Sequence, residues 1–128
     1  MAERRLISSG SPYERTIGFS RAVRVGSHVH VSGTAPIAPN GTPACPGDAY
    51  LQAKRCLEII ENALKEAGAF LRDVVRTRPY ITDKAHLEGV GRAHGEAFGE
   101  VRPASTMVVA QLLDPAWLVE MEVDAVLP

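Results

Sequence analysis

The chain has 128 residues, 14 Lys and Arg against 15 Asp and Glu, and a formal net charge of −1, which suits a single domain over residues 1–128 that buries about two thirds of its unfolded surface on folding. No run of like charge exceeds two residues, so the pattern lacks the clustered basic face that a nucleic acid or an anionic membrane requires. Two arginines interrupt the first ten residues and no uncharged apolar stretch approaches bilayer length, so the sequence reads as a cytoplasmic protein with no signal peptide and no membrane contact.

Leu6 and Ile7 predict a short first strand, followed by a loop through Ser11 and Pro12. Ser20 to Val25 and His28 to Thr34 both alternate and are joined by Gly26 and Ser27, which predicts a two-residue hairpin. Val29 and Val31 then share one face, and His28, His30 and Ser32 the other. Four prolines and two glycines make residues 35 to 47 a loop. Asp48 is placed to cap a helix whose apolar residues Ala53, Leu57, Ile60, Leu64 and Ala67 recur every three or four positions, with Gly68 placed to end it.

Val74 to Thr82 alternates as a strand, but Pro79 removes a ladder donor, which predicts an edge or irregular position. A second helix begins near Asp83, with Leu87, Val90, Ala97 and Phe98 on its apolar face. Gly89, Gly91 and Gly95 each cost it about 1 kcal/mol against alanine, so tertiary packing must hold it together. Ser105 to Leu112 and Leu118 to Leu127 are the last two strands, separated by a turn at Asp114 and Pro115.

These elements predict an α+β domain: a six-stranded, mainly antiparallel sheet with two helices packed on one face. In the last strand Val119, Met121, Val123, Ala125 and Leu127 face the helices, which leaves Glu120, Glu122 and Asp124 on the opposite side. That side also receives Ser32, Met107 and Val109 in this reading, a mixture that fits subunit association better than plain surface or core. Cys45 falls in the loop and Cys56 in the first helix, without metal spacing, so both read as reduced thiols.

Four stretches, Gly18 to Gly26, Val31 to Ile37, Arg102 to Val108 and Leu118 to Ala125, resemble in order and spacing the Rid family of reactive-intermediate deaminases, also called YjgF-like or endoribonuclease L-PSP-like proteins. The resemblance implies a chorismate-mutase-like fold, a homotrimeric barrel with helices outside, and small-molecule pockets in the clefts between subunits. It further implies hydrolysis of small reactive imines or enamines to a keto acid and ammonia, with no metal and no organic cofactor.

Residue by residue, the family's glutamate that acts on the hydrolytic water matches Glu120, and its serine in the Ser-Gly loop matches Ser32. Its tyrosine matches Phe19, which keeps the ring and loses the hydroxyl, and an asparagine of the second helix matches Gly91. The arginine that grips a substrate carboxylate in the deaminating branch is replaced by Ser105. Charge-assisted bonds of that kind contribute about 1.5 to 3 kcal/mol each, so a serine is no substitute as a carboxylate anchor. Arg102 enters the pocket only if Pro103 bends the chain, the alternative being a surface pair with Glu100 or with a neighbouring subunit. Met107 completes the expected substrate-binding set of Phe19, Ser32, Arg102 and Ser105, with Glu120 catalytic.

Bland readings stand beside these. Glu120 as a half-buried general base competes with a structural ion pair across the subunit boundary, for instance with Arg76 or Arg78. Ser32 as a ligand donor competes with a turn hydroxyl satisfying backbone. His28 and His30 have the spacing to share a metal but no third ligand in view, and His94 reads as a packing histidine. The functional expectation is a deaminase-type hydrolase with altered substrate preference, the alternative a trimeric small-molecule binding or regulatory protein. RNA cleavage ranks last, because aromatic residues make up only 5% of the chain.

Overall fold

The computed structural model describes residues 3–128. Its strands are β1 (Arg4–Ile7), β2 (Ala22–Val25), β3 (His28–Thr34), β4 (Val74–Ile81), β5 (Ala104–Ser105), β6 (Val108–Val109) and β7 (Val119–Val126); its helices are α1 (Ala49–Glu66) and α2 (Leu87–Phe98). The strands form one mixed sheet in the order β1-β2-β3-β7-β4-β5, with β6 also pairing with β4. All pairings are antiparallel except those of β5 and β6, which run parallel to β4.

The β2–β3 hairpin turns through Gly26 and Ser27 with Val25 opposite His28, and Gly26 takes a φ of 59°, a left-handed conformation glycine adopts without steric cost. Asp48 accepts a hydrogen bond from the Leu51 amide at 2.9 Å and caps α1, while Gly68 follows the helix with φ 87°. The apolar stripe of α1 is buried against β3 and β7. Val29, Val31, Val119, Met121, Val123 and Ala125 form the sheet's contribution to that core. Both helices lie on this face, since α2 packs on α1 and His94 of α2 meets Thr77 of β4.

Three local expectations change. Pro79 takes the irregular position and not the edge: it lies in an interior strand, opposite Met121 of β7. Thr77 and Ile81 give their carbonyls to the Thr106 and Ala110 amides, so Pro79, two residues from each, presents to the same edge a position with no N–H. Pairing lapses beside it, and the expected strand from Ser105 to Leu112 becomes the two short pieces β5 and β6. Seven strands therefore replace the predicted six. Parallel pairing of Thr77 with Ser105 and of Ile81 with Val109 puts odd-numbered residues of this edge on the helix side. Met107 accordingly packs against the core cluster, and neither it nor Val109 lies with Glu120 on the open face. Finally, Asp83 caps a single 3-10 turn, Lys84–His86, before α2 begins, and Leu87 remains 56% exposed instead of joining the apolar face.

Candidate functional site

The open face of the sheet gathers the charge that alternation excludes from the core. Arg78 Nη1 lies 3.2 Å from Asp124 and 3.6 Å from Glu122, the Tyr80 hydroxyl donates to Glu122 at 2.8 Å, and His30 Nδ1 meets Asp124 at 2.7 Å. Glu122 and Asp124 are thus held by neighbours in the same face. Glu120 is not: among the described residues no basic group comes within 4.0 Å of its carboxylate, and within the chain Arg78 is bound to Glu122 and Asp124 instead.

Glu120 sits at a bulge. The β3–β7 register shifts between Val31 and Thr34, and an added Cβ at Gly33 would stand 3.3 Å from Glu120 Oε2, so glycine makes room for the carboxylate. Burial raises the Glu120 pKa above the ordinary carboxylate range, the positive charge of Arg21 pulls it back, and Glu122 adds to the rise. Arg21 is cross-strand from Ser32, whose amide donates to the Arg21 carbonyl at 2.9 Å. Its Nη2 donates to the Gly33 carbonyl, its guanidinium carbon is 6.0 Å from the centre of the Phe19 ring, and its Nε is buried with no acceptor among the described residues. The Ser32 hydroxyl donates to the Ser20 carbonyl at 2.6 Å, which ties the bulge to the chain entering β2. Phe19, Arg21, Ser32, Gly33 and Glu120 therefore form one cluster.

Ser105 and Met107 belong to another. Ser105 pairs with Thr77, and Thr77 with Val123, all on the helix side, whereas Glu120 pairs with Tyr80 on the open face. Thr77 Oγ1 lies 2.7 Å from Ser105 Oγ and 2.7 Å from His94 Nε2. Thr77 is fully buried, Ser105 exposed and His94 between the two. The imidazole stacks at a tilt on Phe98, 4.8 Å between centres, and burial lowers its pKa, so it is neutral at pH 7. Gly91, one helical turn before His94, has open space where a side chain would project.

Arg102 reaches neither cluster. It is exposed and caps α2, with its amide donating to the Phe98 carbonyl at 2.8 Å and a φ of 56°, a left-handed conformation uncommon for a side-chain-bearing residue. It contributes nothing to the charge around Glu120, and the pair with Glu100 is not formed among the described residues. Both cysteines are free, and burial pushes the Cys56 thiol strongly up, which leaves it inert. A groove of about 780 Å³ between α1, α2 and the 35–47 loop, floored by Leu57 and Ala93, contains none of the expected site residues.

Arg21 was legible in advance: a two-residue loop at Gly26 and Ser27 places it opposite Ser32, on the face of Glu120. The bond from Thr77 to His94 had no local signal, because it joins a strand to a helix through tertiary packing.

The family model described as Endoribonuclease L-PSP matches residues 11–127. A RutC family protein of Pyrococcus abyssi is 38% identical over 81% of this chain and 82% of its own length. The 3-aminoacrylate deaminase RutC of Acinetobacter baylyi is 33% identical over 78% of this chain and 79% of its own. In structure, a member of the YjgF/YER057c/UK114 family from Mycobacterium tuberculosis superposes with a TM-score of 0.87 at 44% identity, covering 98% of this chain and all of that one. No helix of the described residues is long and apolar enough to cross a membrane.

Proposed function

We propose, on the premise that this chain belongs to the endoribonuclease L-PSP (YjgF/RutC) family, that it hydrolyses a small imine or enamine to a carbonyl compound and ammonia in a cleft completed by neighbouring copies of itself. The observation that carries the reading is Glu120: a half-buried carboxylate with a raised pKa, no ion-pair partner among the described residues, and glycine beneath it. Such a group accepts a proton from water more readily than an ordinary surface carboxylate. As water adds to the imine carbon, Glu120 takes one of its protons and passes it to nitrogen, giving a neutral carbinolamine; Glu120 then carries the hydroxyl proton to the same nitrogen as the C–N bond breaks, which releases ammonia and leaves the carbonyl. Arg21 favours the ionised form of Glu120, the form that acts as base. The relative named 3-aminoacrylate deaminase supports the reaction class.

Two features of the sheet support assembly. Ser105 and Glu120 lie on opposite faces with β4 between their strands, so one chain cannot close a pocket around both. A homotrimer whose sheets face one another covers the half-exposed network of His30, Arg78, Glu122 and Asp124 and brings the Ser105 edge of one chain towards the Glu120 cluster of the next. The substrate is small, and the polar groups offered to it at the Ser105 edge are uncharged.

A second reading, a trimeric binding or regulatory protein, is favoured by one feature. Phe19 and Gly91 place a bare ring and open space where the resemblance implies a hydroxyl and an amide. Ammonia release from imines generated in the assay, in pairs with and without a carboxylate, separates the two. Acceleration lost in Glu120→Gln supports hydrolysis; no acceleration of any imine overturns it in favour of binding.

A further inference from the structure

Given the two-chain cleft proposed above, we propose that Ser105, Thr77 and His94 form a switchable hydrogen-bond relay, in which the tautomer of His94, passed through the Thr77 hydroxyl, sets whether Ser105 offers an uncharged ligand group a donor or an acceptor. The premise is geometric. Thr77 Oγ1 stands 2.7 Å from a ring nitrogen on one side and 2.7 Å from a hydroxyl oxygen on the other. Because Thr77 is fully buried, no water replaces either partner, and its single hydrogen can serve only one of them at a time.

Two arrangements satisfy the trio. With hydrogen on Nε2, His94 donates to Thr77, Thr77 donates to Ser105, and the Ser105 hydrogen points outward as a donor. With Nε2 bare, Thr77 donates to His94, Ser105 donates to Thr77, and Ser105 presents only lone pairs outward. Passing between the arrangements requires no heavy-atom movement. In the second, the chain also carries a proton: one moves from the ligand to Ser105 Oγ as the Ser105 hydrogen moves to Thr77 and the Thr77 hydrogen to Nε2. The ligand loses one proton and His94 becomes imidazolium.

The surroundings keep both arrangements within reach. Burial favours the neutral form of His94, and among the described residues no charged group contributes to that shift. On β4, Arg78 is turned to the open face with Glu122 and Asp124, and Arg76, which pairs with Asp124 across the sheet, shares that face. On α2, Arg92 lies over the Tyr50 ring and Glu96 accepts from the Tyr50 hydroxyl, away from the sheet. Beyond the helix, Arg102 is exposed. The open space at Gly91, on the same face as His94 and one turn away, leaves room beside the relay. Among the described residues of its own chain no cation stands beside Ser105 to hold a carboxylate, whereas an amide, carbonyl or hydroxyl finds a group able to match either polarity. Thr77 and His94 are positioning residues that act through Ser105.

The test reads His94 directly and needs no turnover. Full-length protein labelled with ¹⁵N at histidine is titrated by NMR, with His94 assigned from the signal missing in His94→Gln. Ser105→Ala, at an exposed position, is expected to change the Nδ1–H to Nε2–H ratio of His94 several-fold, although Ser105 does not touch the ring. Thr77→Val is expected to change it further, and Thr77→Ser to restore it. A ratio and titration in Ser105→Ala identical to those of the unaltered protein overturn the relay, since Thr77 then merely caps His94. Acetamide added to high concentration is expected to shift the ratio in the unaltered protein and not in Ser105→Ala. Equal shifts in both, or none in either, overturn the assignment of an uncharged ligand group to Ser105. Absence of ammonia release from every imine, with the relay intact, overturns the deaminase reading alone.

Discussion

Glu120 and Ser105 stand on the two faces of the same sheet, and their surroundings handle polarity in opposite ways. Around Glu120 the protein keeps charge: a carboxylate lifted in pKa by burial, an arginine tempering it, and a bulged strand whose glycine lets them approach. Around Ser105 it keeps none, and three neutral side chains satisfy one another through two short hydrogen bonds. The contrast separates two tasks. A proton acceptor for water needs a strained, partly desolvated charge, while recognition of an uncharged group needs donors and acceptors that match it, with no unpaired charge to desolvate.

The largest expected effect breaks the charged side. Glu120→Gln keeps shape and removes the base, and turnover of imines should fall by about 10²–10⁴. The same change should raise the melting temperature slightly at neutral pH, as followed by circular dichroism. A folded-state pKa raised by burial means that ionised Glu120 opposes folding above the ordinary carboxylate range, and Gln removes that charge. Next in size is the uncharged side. Thr77→Val leaves Ser105 and His94 Nε2 without their shared partner, and denaturant unfolding should show a loss of about 1–3 kcal/mol, most of it recovered in Thr77→Ser. Smallest is a shift that sharpens the contrast. Arg21 favours the ionised form of Glu120, so in Arg21→Gln the carboxyl is protonated up to a higher pH, and the acid limb of kcat/KM should move upward while the Ser105→Ala profile keeps its acid limb.

Much of the fold was legible because local signals agreed with packing. The Asp48 cap, the stripe of α1, the hairpin at Gly26 and Ser27 and the two faces of β7 each arise from near-neighbour geometry that the structure reproduces. The misreadings came where a strand's second neighbour decides the outcome. Pro79 implied an edge or an irregular position, and the irregular one holds, its missing N–H absorbed by a gap in the adjacent strand, while the parallel register on both sides of that gap puts Met107 and Val109 on the helix side. The candidate site divided in the same way. Glu120, Ser32 and Phe19 came together, joined by Arg21, which the hairpin register implied. Ser105 and Met107 fell on the other face, since period-two alternation assigns faces only when the strand register is known.

The central claim, that Glu120 of one copy works with the Ser105 edge of another, is tested most directly by mixing two inactive proteins. Glu120→Gln and Ser105→Trp, each devoid of imine turnover alone, are unfolded together and refolded so that subunits exchange. If the two residues meet across a subunit boundary, random assembly rebuilds about a quarter of the clefts with both intact, and turnover returns to about a quarter of that of the unaltered protein. No recovery in a mixture whose exchange is verified by mass, or a lone chain as the only species in solution, contradicts the account.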